Sequence, residues 1–402
     1  MDLFAKCSSD SNATRLGMAR KLDVYPYFHV LESRQAPVVQ MEGHRVIMLG
    51  SNNYLGFTED TEVIKAGHEA LDKYGTGVSG SRFLNGTLDL HIQLEQELAA
   101  FTGYEDAMTC STGFQTNLSI ISCICGKDDY ILNDRENHAS IYDACRLSFA
   151  KVLRYKHSDM EDLERMLQAI PIDAGKLIVT DGVFSMRGDI CKLPKIVELA
   201  KKYGARVMVD DAHGFGVLGP NGRGTAAHFG LTDQVDITML TFSKSLASIG
   251  GCILANHAVL DWVRHVSRPF IFSASLTPAS AATALAALHR LQEDKERPQR
   301  LMDIAQYFRT GLLNAGVKII EAPTPIVPIF TYDTMDTLWY GKKMFEEGVY
   351  VNPVITPACV EGECLLRTTL MATHTEPVID EAVDIIASVL KEKPNYKKSK
   401  RH

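Results

Sequence analysis

Seven short apolar segments alternate with helix-like segments through the middle of this 402-residue chain. The apolar segments span residues 106–110, 130–132, 151–155, 177–180, 206–209, 237–240 and 251–255. Several are too short and too uniformly apolar for strands with one solvated face, so they predict strands that are buried on both faces. Because helix-like segments lie between them, the pattern predicts an α/β fold with a mainly parallel sheet.

Two of the intervening helices carry end signals in the sequence. Ser158 and Glu161 have the spacing of a capping box, which predicts that a helix starts at Ser158. Pro194 and Gly204 bracket a second segment in the order that is typical of a helix with proline near its start and glycine after its end. These helices are expected to cover the faces of the sheet.

The pattern changes after about residue 290, where a charged stretch that contains a proline spans residues 293–298. We therefore predict an N-terminal arm over residues 1–55, a large ligand-binding domain over residues 56–290 and a small C-terminal α/β domain over residues 291–402. A hairpin is expected at Glu42 and Gly43 within the arm.

Composition and charge exclude several classes of function. The net charge of −7 gives no basis for nucleic-acid binding. Nine cysteines are scattered without a C-x-x-C pair, which predicts reduced thiols in a cytoplasmic protein and no metal site. No apolar run has the length of a membrane span. The lysine-rich tail from residue 391 onward predicts at most a weak contact with a membrane surface.

A lysine and an aspartate follow two of the predicted strands. Lys244 stands between Ser243 and Ser245 after the 237–240 segment, and Asp210 closes the 206–209 segment. A lone lysine is most often a solvated surface residue. Here the lysine amine can form a Schiff base with an aldehyde, and the carboxylate can keep a pyridine nitrogen protonated, which pyridoxal 5'-phosphate (PLP) requires. Strand alternation favours Asp210 over its neighbour for this contact.

Other segments supply what the rest of PLP needs. Gly113 and Phe114 follow a strand and open a helix-like segment, where backbone amides can bind a phosphate. His138 offers an imidazole plane for stacking on the ring, although a lone histidine is more often a hydrogen-bonded structural residue. Ser185 and His213 are candidate donors to the phenolic oxygen.

Arg367 is the candidate that binds a substrate carboxylate. A guanidinium group binds a carboxylate through two parallel hydrogen bonds. The alternative is a surface salt bridge, but two leucines precede Arg367 and predict a buried segment, in which an unpaired arginine would be costly.

Several motifs together resemble those of a known family. They are SNNYLG at residues 51–56, GSR at 80–82, NHAS at 137–140, DGVFSM at 181–186, DDAHG at 210–214 and TFSK at 241–244. From about residue 27 to 375 the chain resembles the α-oxoamine synthases, which are PLP-dependent enzymes of fold type I. The resemblance implies a mainly parallel seven-stranded sheet in the large domain and a smaller C-terminal α/β domain.

The resemblance also implies a role for each matched residue. Lys244 would carry the Schiff base, Asp210 would pair with the pyridinium, His138 would stack on the ring, and His213 and Ser185 would reach the phenolic oxygen. It implies that four residues contact the phosphate: Gly113, Phe114, Thr241 and Ser243. It implies that Ser273 contacts the cofactor of a neighbouring subunit. The residues that it implies for substrate binding are Asn52, Arg82 and Arg367.

Within the family, the segments 80–91, 245–250 and 268–276 are most similar to the soluble bacterial serine palmitoyltransferases. This implies a decarboxylative condensation of L-serine with a long-chain acyl-CoA such as palmitoyl-CoA, which yields 3-oxosphinganine, CoA and CO₂ and begins sphingolipid synthesis. Residues 351–354 read VNPV where some relatives have an Arg-Pro-Pro segment, so no role of that arginine transfers.

Two alternatives stay open for the function. One is a sister enzyme, 8-amino-7-oxononanoate synthase or 2-amino-3-ketobutyrate CoA ligase, and the other is a non-catalytic partner subunit with the same fold. The resemblance further implies a homodimer with shared active sites. The small residues between 274 and 287 permit the close packing of a dimer interface, but they also suit a helix that packs within one subunit.

Overall fold

The computed structural model describes residues 2–4, 7 and 15–396. A weak membrane contact is predicted for the lysine-rich tail from residue 391 onward, and residues 397–402 of that tail lie outside the described part. The helices are α1 (Arg15–Lys21), α2 (Thr61–Tyr74), α3 (Asp89–Thr102), α4 (Gly113–Ile124), α5 (Ala139–Leu147), α6 (Met160–Gln168), α7 (Leu193–Tyr203), α8 (Thr225–His228), α9 (His257–Val266), α10 (Arg268–Ile271), α11 (Pro278–Glu293), α12 (Arg297–Asn314), α13 (Thr334–Glu346) and α14 (Glu376–Lys391). The strands are β1 (Val38–Met41), β2 (His44–Met48), β3 (Asp106–Cys110), β4 (Tyr130–Asp134), β5 (Lys151–Tyr155), β6 (Lys176–Asp181), β7 (Arg206–Asp210), β8 (Ile237–Thr241), β9 (Gly251–Ala255), β10 (Ile326–Tyr332), β11 (Val349–Tyr350), β12 (Asn352–Val354) and β13 (Cys364–Thr369).

Strands β3 to β9 form the predicted seven-stranded sheet, in the order β3-β9-β8-β7-β6-β4-β5. Its neighbours pair in parallel except at β9, which runs antiparallel to both β3 and β8. The predicted α/β fold with a mainly parallel sheet is therefore confirmed. Parallel strands end at one edge of the sheet, so the residues that follow β4, β6, β7 and β8 are brought to the same edge.

Alternating side chains of each strand enter two separate cores. In β6, Val179 packs with α4, α5 and α9 on one face, and Ile178 packs with α6 and α7 on the other. Met208 and Val209 of β7 divide between the same two cores. This burial on both faces explains why the strands read as uniformly apolar segments.

The predicted ends of α7 agree with the structure, whereas the N-terminal cap of α6 is one residue later than predicted. Helix α7 has Pro194 in its first turn and ends at Gly204, whose φ of 64° is the left-handed conformation that glycine adopts readily. Helix α6 is capped by Asp159 instead of Ser158, because the Asp159 carboxylate accepts the backbone N–H groups of Glu161 and Asp162. Ser158 itself has a φ of 51° and lies outside the helix.

The chain divides into two compact units at positions that differ from the predicted domain boundaries. One unit joins the residues up to Ser51 with those from Asp303 onward, and the other spans Asn52–Met302. The N-terminal segment belongs to the smaller unit, where β2 pairs in parallel with β11 of the C-terminal segment. The charged stretch at 293–298 does not end the larger unit, since Arg297 donates to the Leu55 carbonyl oxygen at 2.6 Å.

The smaller unit contains two three-stranded sheets, with the orders β1-β2-β11 and β10-β13-β12. Strands β1 and β2 form the predicted hairpin, with Glu42 and Gly43 at positive φ values of 50° and 77°. This matches the right-handed twist of the flanking strands. Strand β13 is central in the second sheet and carries Arg367.

The small residues between 274 and 287 pack inside the larger unit. They lie mostly on α11, where Ala281, Ala284 and Ala287 are fully buried. At the contact with α2, a Cβ added to Gly67 would lie 3.0 Å from the Thr283 methyl group. The described chain therefore favours the second of the two sequence interpretations, a helix that packs within one subunit.

Within residues 2–4, 7 and 15–396, no helix combines the length and the apolar character needed to cross a bilayer. Within the same residues, His, Cys, Asp and Glu side chains do not gather into any group of three or more suited to a metal ion.

His157 links two loops at the carboxyl edge of the large sheet. Its Nδ1 lies 3.0 Å from Asp134 Oδ1 at the end of β4, and its Nε2 lies 2.9 Å from Asp189 Oδ2 in the loop after β6. Its ring also packs edge-on against Phe184. Burial acts to lower the pKa of His157, but the hydrogen bonds to the two carboxylates raise it to about 10. A doubly protonated imidazole therefore holds these loops together.

We predict that His157→Gln destabilises the fold by about 1–3 kcal/mol at neutral pH, because charged hydrogen bonds are lost. The folded pKa lies above the ordinary value of 6.5, so the contribution is complete below about pH 6.5 and is lost as the pH rises through about 10. Urea unfolding of both proteins across this range measures the difference. The control is His265→Gln, at an exposed position of α9. A difference that does not change with pH would contradict a charged His157.

Candidate active site

A cavity of about 290 Å³ opens at the carboxyl edge of the large sheet, within the larger unit. Its volume is close to the lower end of the range for small-molecule sites, about 300 Å³. Its wall includes these residues from the sequence prediction: Gly113, Phe114, His138, Asp210, His213, Thr241, Ser243 and Lys244. The strand order thus brings together residues that are separated by up to 131 positions in the chain (244 minus 113).

Asp210 ends β7 and presents a buried carboxylate to the cavity. Asn117 Nδ2 on α4 donates to Asp210 Oδ2 at 2.7 Å, and the Ala212 backbone N–H donates to Asp210 Oδ1 at 3.1 Å. Asp211 bonds instead to the backbone N–H and hydroxyl of Thr225. The two neighbouring aspartates therefore serve different partners, as strand alternation predicts.

Asp181 is a second buried carboxyl group in the cavity wall. It ends β6 at the position that pairs with Asp210 on β7. Burial and the nearby charge of Asp210 raise the pKa of Asp181 well above its usual value. Two carboxyl groups at paired, buried positions do not both ionise readily, so the raised pKa favours the protonated form of Asp181.

The N-terminus of α4 faces the same cavity. Thr112 caps the helix by accepting the Gln115 backbone N–H, and Gly113 and Phe114 begin its first turn. A Cβ added to Gly113 would lie 2.5 Å from Thr241 Oγ1, so a side chain cannot be placed there without displacing Thr241. Thr241 and Ser243 are joined by a hydroxyl–hydroxyl bond of 2.9 Å. These amides and hydroxyls form a polar cradle for an anion.

His138 lies directly before α5, and its ring is fixed by Ser140. Its Nδ1 lies 2.7 Å from Ser140 Oγ, and Asn117 Nδ2 donates to the same oxygen at 2.8 Å. Burial is the main cause that lowers the pKa of His138, while the charge of Asp210 opposes the shift. The imidazole is therefore neutral at pH 7 and is held in one orientation toward the cavity.

His213 is positioned by a residue that the sequence analysis did not assign to the site. Tyr54 is fully buried, and its Oη lies 2.6 Å from His213 Nδ1. A tyrosine within the SNNYLG motif gives no sequence signal of this contact, because it forms only between segments 159 positions apart. The bond fixes the orientation of the imidazole.

Lys244 lies in the loop between β8 and β9 and is half-buried in the cavity wall. The loop is closed by bonds from the Phe242 N–H to the Gly250 carbonyl and from the Ser248 N–H to the Phe242 carbonyl, each 2.9 Å long. The amine is therefore held at the same edge as Asp210 by a short, locally bonded loop.

These groups match the chemistry of PLP. The α4 cradle suits a phosphate, and the Gly113–Thr241 contact shows that the cradle is kept free of a side chain. The buried Asp210 carboxylate suits a protonated ring nitrogen, and Lys244 offers an amine for the aldehyde. A neutral, oriented His138 imidazole suits stacking on a heteroaromatic ring.

Comparison with known proteins identifies the family. The profile of aminotransferase class I and II matches residues 44–386. The chain belongs to this family. Serine palmitoyltransferase of Bacteroides ovatus is 52% identical over 368 residues, which are 92% of this chain and 93% of that protein. 8-amino-7-oxononanoate synthase of Thermoanaerobacter pseudethanolicus is 41% identical over 379 residues, which are 94% of this chain and 96% of that protein.

A solved structure described as SPT with PLP internal aldimine superposes with a TM-score of 0.93 at 38% identity, and the match covers 97% of this chain and 98% of the other. Within the class I and II family, the chain therefore belongs to the α-oxoamine synthase group. Its cofactor is PLP, and its fold is that of the PLP-dependent enzymes of fold type I.

Three predicted site residues are not among the residues that line the cavity. Ser185 is half-buried in the turn after β6, and Ser273 is half-buried between α10 and α11. Asn52 is half-buried at the start of the larger unit. Their predicted contacts to cofactor and substrate remain predictions. Arg367 lies buried on β13 of the smaller unit, paired with Pro328 and Asn352, and its carboxylate contact also remains a prediction.

Arg82, a predicted substrate contact, forms a buried ion pair in the structure. Its guanidinium donates to both oxygens of Glu95, at 2.7 and 3.1 Å. It also donates to the hydroxyls of Thr87 and Thr109. Both charged side chains of the ion pair are largely buried, with 9% and 6% exposed. These partners engage its nitrogen donors in the structure, and the predicted contact of Arg82 with the substrate remains a prediction.

The sequence analysis also missed Asn117, Ser140 and Asp181, which surround Asp210 and His138. Asp181 stands in a motif that was matched as a whole, and its position at the end of a predicted strand was the available signal. Asn117 lies on a helix with ordinary apolar neighbours and gave no signal of this kind.

We predict that Tyr54→Phe weakens PLP binding about tenfold and changes the absorption spectrum of the bound cofactor, because His213 loses the bond that orients it. The free energy of unfolding should fall by only about 1–2 kcal/mol, the cost of one buried hydrogen bond. The matched control is Tyr104→Phe, which removes a bond of 2.6 Å to Thr238 Oγ1 away from the cavity wall. Equal spectral changes in the two variants would contradict a positioning role for Tyr54.

Proposed function

We propose that the protein is a PLP-dependent acyltransferase that condenses L-serine with a long-chain acyl-CoA, releases CO₂ and CoA, and forms 3-oxosphinganine as the first step of sphingolipid synthesis. The observation that carries the chemistry is the placement of Lys244 and the buried Asp210 in one cavity with the α4 N-terminus. The substrate assignment is supported by relatives named serine palmitoyltransferase at 46–52% identity. Relatives named 8-amino-7-oxononanoate synthase are at 41–43%.

When bound, PLP supplies an electron sink for negative charge at the substrate α-carbon. Lys244 would be the attachment point for the cofactor, and its Nζ is the group that would accept the α-proton of the substrate. Asp210 holds a proton on the ring nitrogen, and its charge is maintained by the Asn117 amide and the Ala212 N–H. The α4 amides, Thr241 and Ser243 bind the phosphate and fix the ring.

The chain's other residues orient the substrate. Asn52 binds the serine carboxylate, as the family resemblance implies, and His213 with Ser185 donates to the phenolic oxygen. His138 covers one face of the ring and keeps a neutral imidazole there, since its pKa is lowered mainly by burial. Holding the α-carbon beside a thioester while water is excluded is mainly a matter of positioning. Each buried methylene of the acyl chain adds roughly 0.8 kcal/mol, which favours palmitoyl over short thioesters.

The second candidate function is that of 8-amino-7-oxononanoate synthase, which uses alanine and a pimeloyl thioester. It is supported by the relative at 41% identity, which covers 94% of the chain. The Asp210–Lys244 arrangement serves both reactions, so the substrates decide between them.

We predict that CoA release is fastest with L-serine and palmitoyl-CoA when serine, glycine, alanine and threonine are each tested with acetyl-, pimeloyl- and palmitoyl-CoA. A site that binds the serine hydroxyl rejects amino acids without it strongly. Lys244→Ala should abolish turnover, while Lys195→Ala, at an exposed lysine of α7, should leave it unchanged. Preference for alanine with pimeloyl-CoA would assign the sister function instead, and turnover by Lys244→Ala would overturn the role of this lysine.

The protein is further proposed to act in the cytoplasm as a homodimer with shared active sites. The nine cysteines without C-x-x-C spacing support a reducing compartment. Large apolar side chains of the larger unit support an interface, because Leu84, Ile249 and Phe272 are 76%, 61% and 80% exposed. Phe272 precedes Ser273, the residue predicted to reach the neighbouring cofactor.

We predict that light scattering gives twice the chain mass of 44.5 kDa and that Phe272→Glu shifts the protein toward this single-chain mass. The control is Ile172→Glu, at a side chain that is 95% exposed elsewhere in the same unit. Mixed dimers of Lys244→Ala and Ser273→Trp chains should regain activity at one of two sites. Verified mixed dimers that stay inactive would argue for sites built from one chain.

A further inference from the structure

Two cysteines of the smaller unit lie in direct contact. Cys359 Sγ lies 3.8 Å from Cys364 Sγ. Cys364 is the first residue of β13, and Cys359 lies in the loop that connects β12 to β13. Among residues 2–4, 7 and 15–396, no other two cysteine sulfurs lie within hydrogen-bonding distance of each other.

The surroundings of the two sulfurs differ in a way that permits them to approach each other. Cys364 is held by the sheet, where it pairs with Tyr332 of β10 next to a register shift. Cys359 lies in a bend without strand pairing, and besides its contact with Cys364 its Sγ makes a long contact of 3.6 Å with the Val354 carbonyl oxygen. A disulfide requires the sulfurs to come to about 2.0 Å. The loop residue supplies the remaining movement, while the strand residue stays in place.

The two thiols also differ in their access to solvent. Cys359 is half-buried, whereas Cys364 is 1% exposed. An oxidant in solution therefore reaches Cys359 first, and Cys364 is placed to attack the product from within the protein.

We propose that Cys359 and Cys364 form an oxidation site that a small disulfide such as glutathione disulfide converts to an intramolecular disulfide. The Cys359 thiolate attacks one sulfur of the oxidant and releases one glutathione thiolate. The Cys364 thiolate then attacks the Cys359 sulfur and releases the second. The two cysteines lose two electrons and two protons, and the oxidant takes up both as two glutathione thiols.

The site is slow in neutral solution and responds to pH. Burial and the neighbouring Cys364 raise the pKa of the Cys359 thiol to about 12. The reactive thiolate is therefore scarce at neutral pH, and its fraction grows about tenfold for each unit of pH below that value. The reduced form persists under ordinary conditions and closes under sustained oxidation.

The test is peptide mapping of the full-length holoenzyme after incubation with glutathione disulfide at several pH values. Wild-type protein should yield one peptide that links Cys359 to Cys364, and the rate of its formation should rise about tenfold per unit of pH. Cys364→Ser should stop at the first step and retain one glutathione on Cys359. Cys359→Ser should yield neither product. The matched control, Cys123→Ser, removes a half-buried thiol that contacts backbone carbonyls, and it should close the disulfide as wild type does.

The exposed Cys7 serves as the internal reference for the oxidant. If Cys7 is modified while Cys359 and Cys364 keep free thiols at every pH, the proposal is overturned. Wild-type protein that retains glutathione on Cys359 without forming the link would overturn it as well, since Cys364 would then not act as the second thiol. None of these readouts requires enzyme activity, so they do not depend on the substrate assignment.

Discussion

The buried carboxylate of Asp210 needs compensation, and the surrounding polar groups are arranged to give it. A charge without partners in the interior would cost several kcal/mol. Here Asn117 and the Ala212 N–H donate to it, and the neighbouring Asp181 takes up a proton because burial and the Asp210 charge raise its pKa. The buried pair formed by Asp181 and Asp210 thus carries one negative charge, on Asp210. That single charge is what a protonated ring nitrogen requires, so the same compensation that stabilises the fold prepares the site.

The strand order decides which residues can take part in this arrangement. Asp181 and Asp210 are paired positions of adjacent parallel strands, so their carboxyl groups are brought together by register alone. Asn117 reaches both Asp210 and Ser140, and through Ser140 it is linked to His138. The orientation of the stacking imidazole and the charge of the carboxylate therefore depend on one amide side chain. A substitution of Asn117 would therefore disturb both the orientation of the His138 ring and the hydrogen bonding of the Asp210 carboxylate.

The sequence predicted the large sheet well because its strands are buried on both faces and leave a direct apolar signal. The residues that follow those strands, such as Lys244 and Asp210, could be placed for the same reason. The ion pair of Arg82 with Glu95 could not be predicted, because a motif match does not reveal which carboxylate lies within reach of a guanidinium. The role of Tyr54 depends on a long-range contact, which leaves no pattern in the sequence. The capping of α6 by Asp159 depends on a local choice between two adjacent residues that can both cap a helix. The two compact units also differ from the predicted domains, because strand pairing joins distant segments of the chain, which local composition does not reveal.

The loop that carries Lys244 differs from every other connection in the large sheet, because it joins neighbouring antiparallel strands. Its closing bonds span only residues 242–250, whereas the parallel strands are joined by longer crossovers. Short closures have low contact order and a small entropy of ring formation, so this loop can form early in folding and can re-form quickly after a local opening. Hydrogen exchange at its amides would then report local fluctuations rather than global unfolding. Lys244 is thereby held by the connection of the large sheet that can re-form most quickly after a local opening.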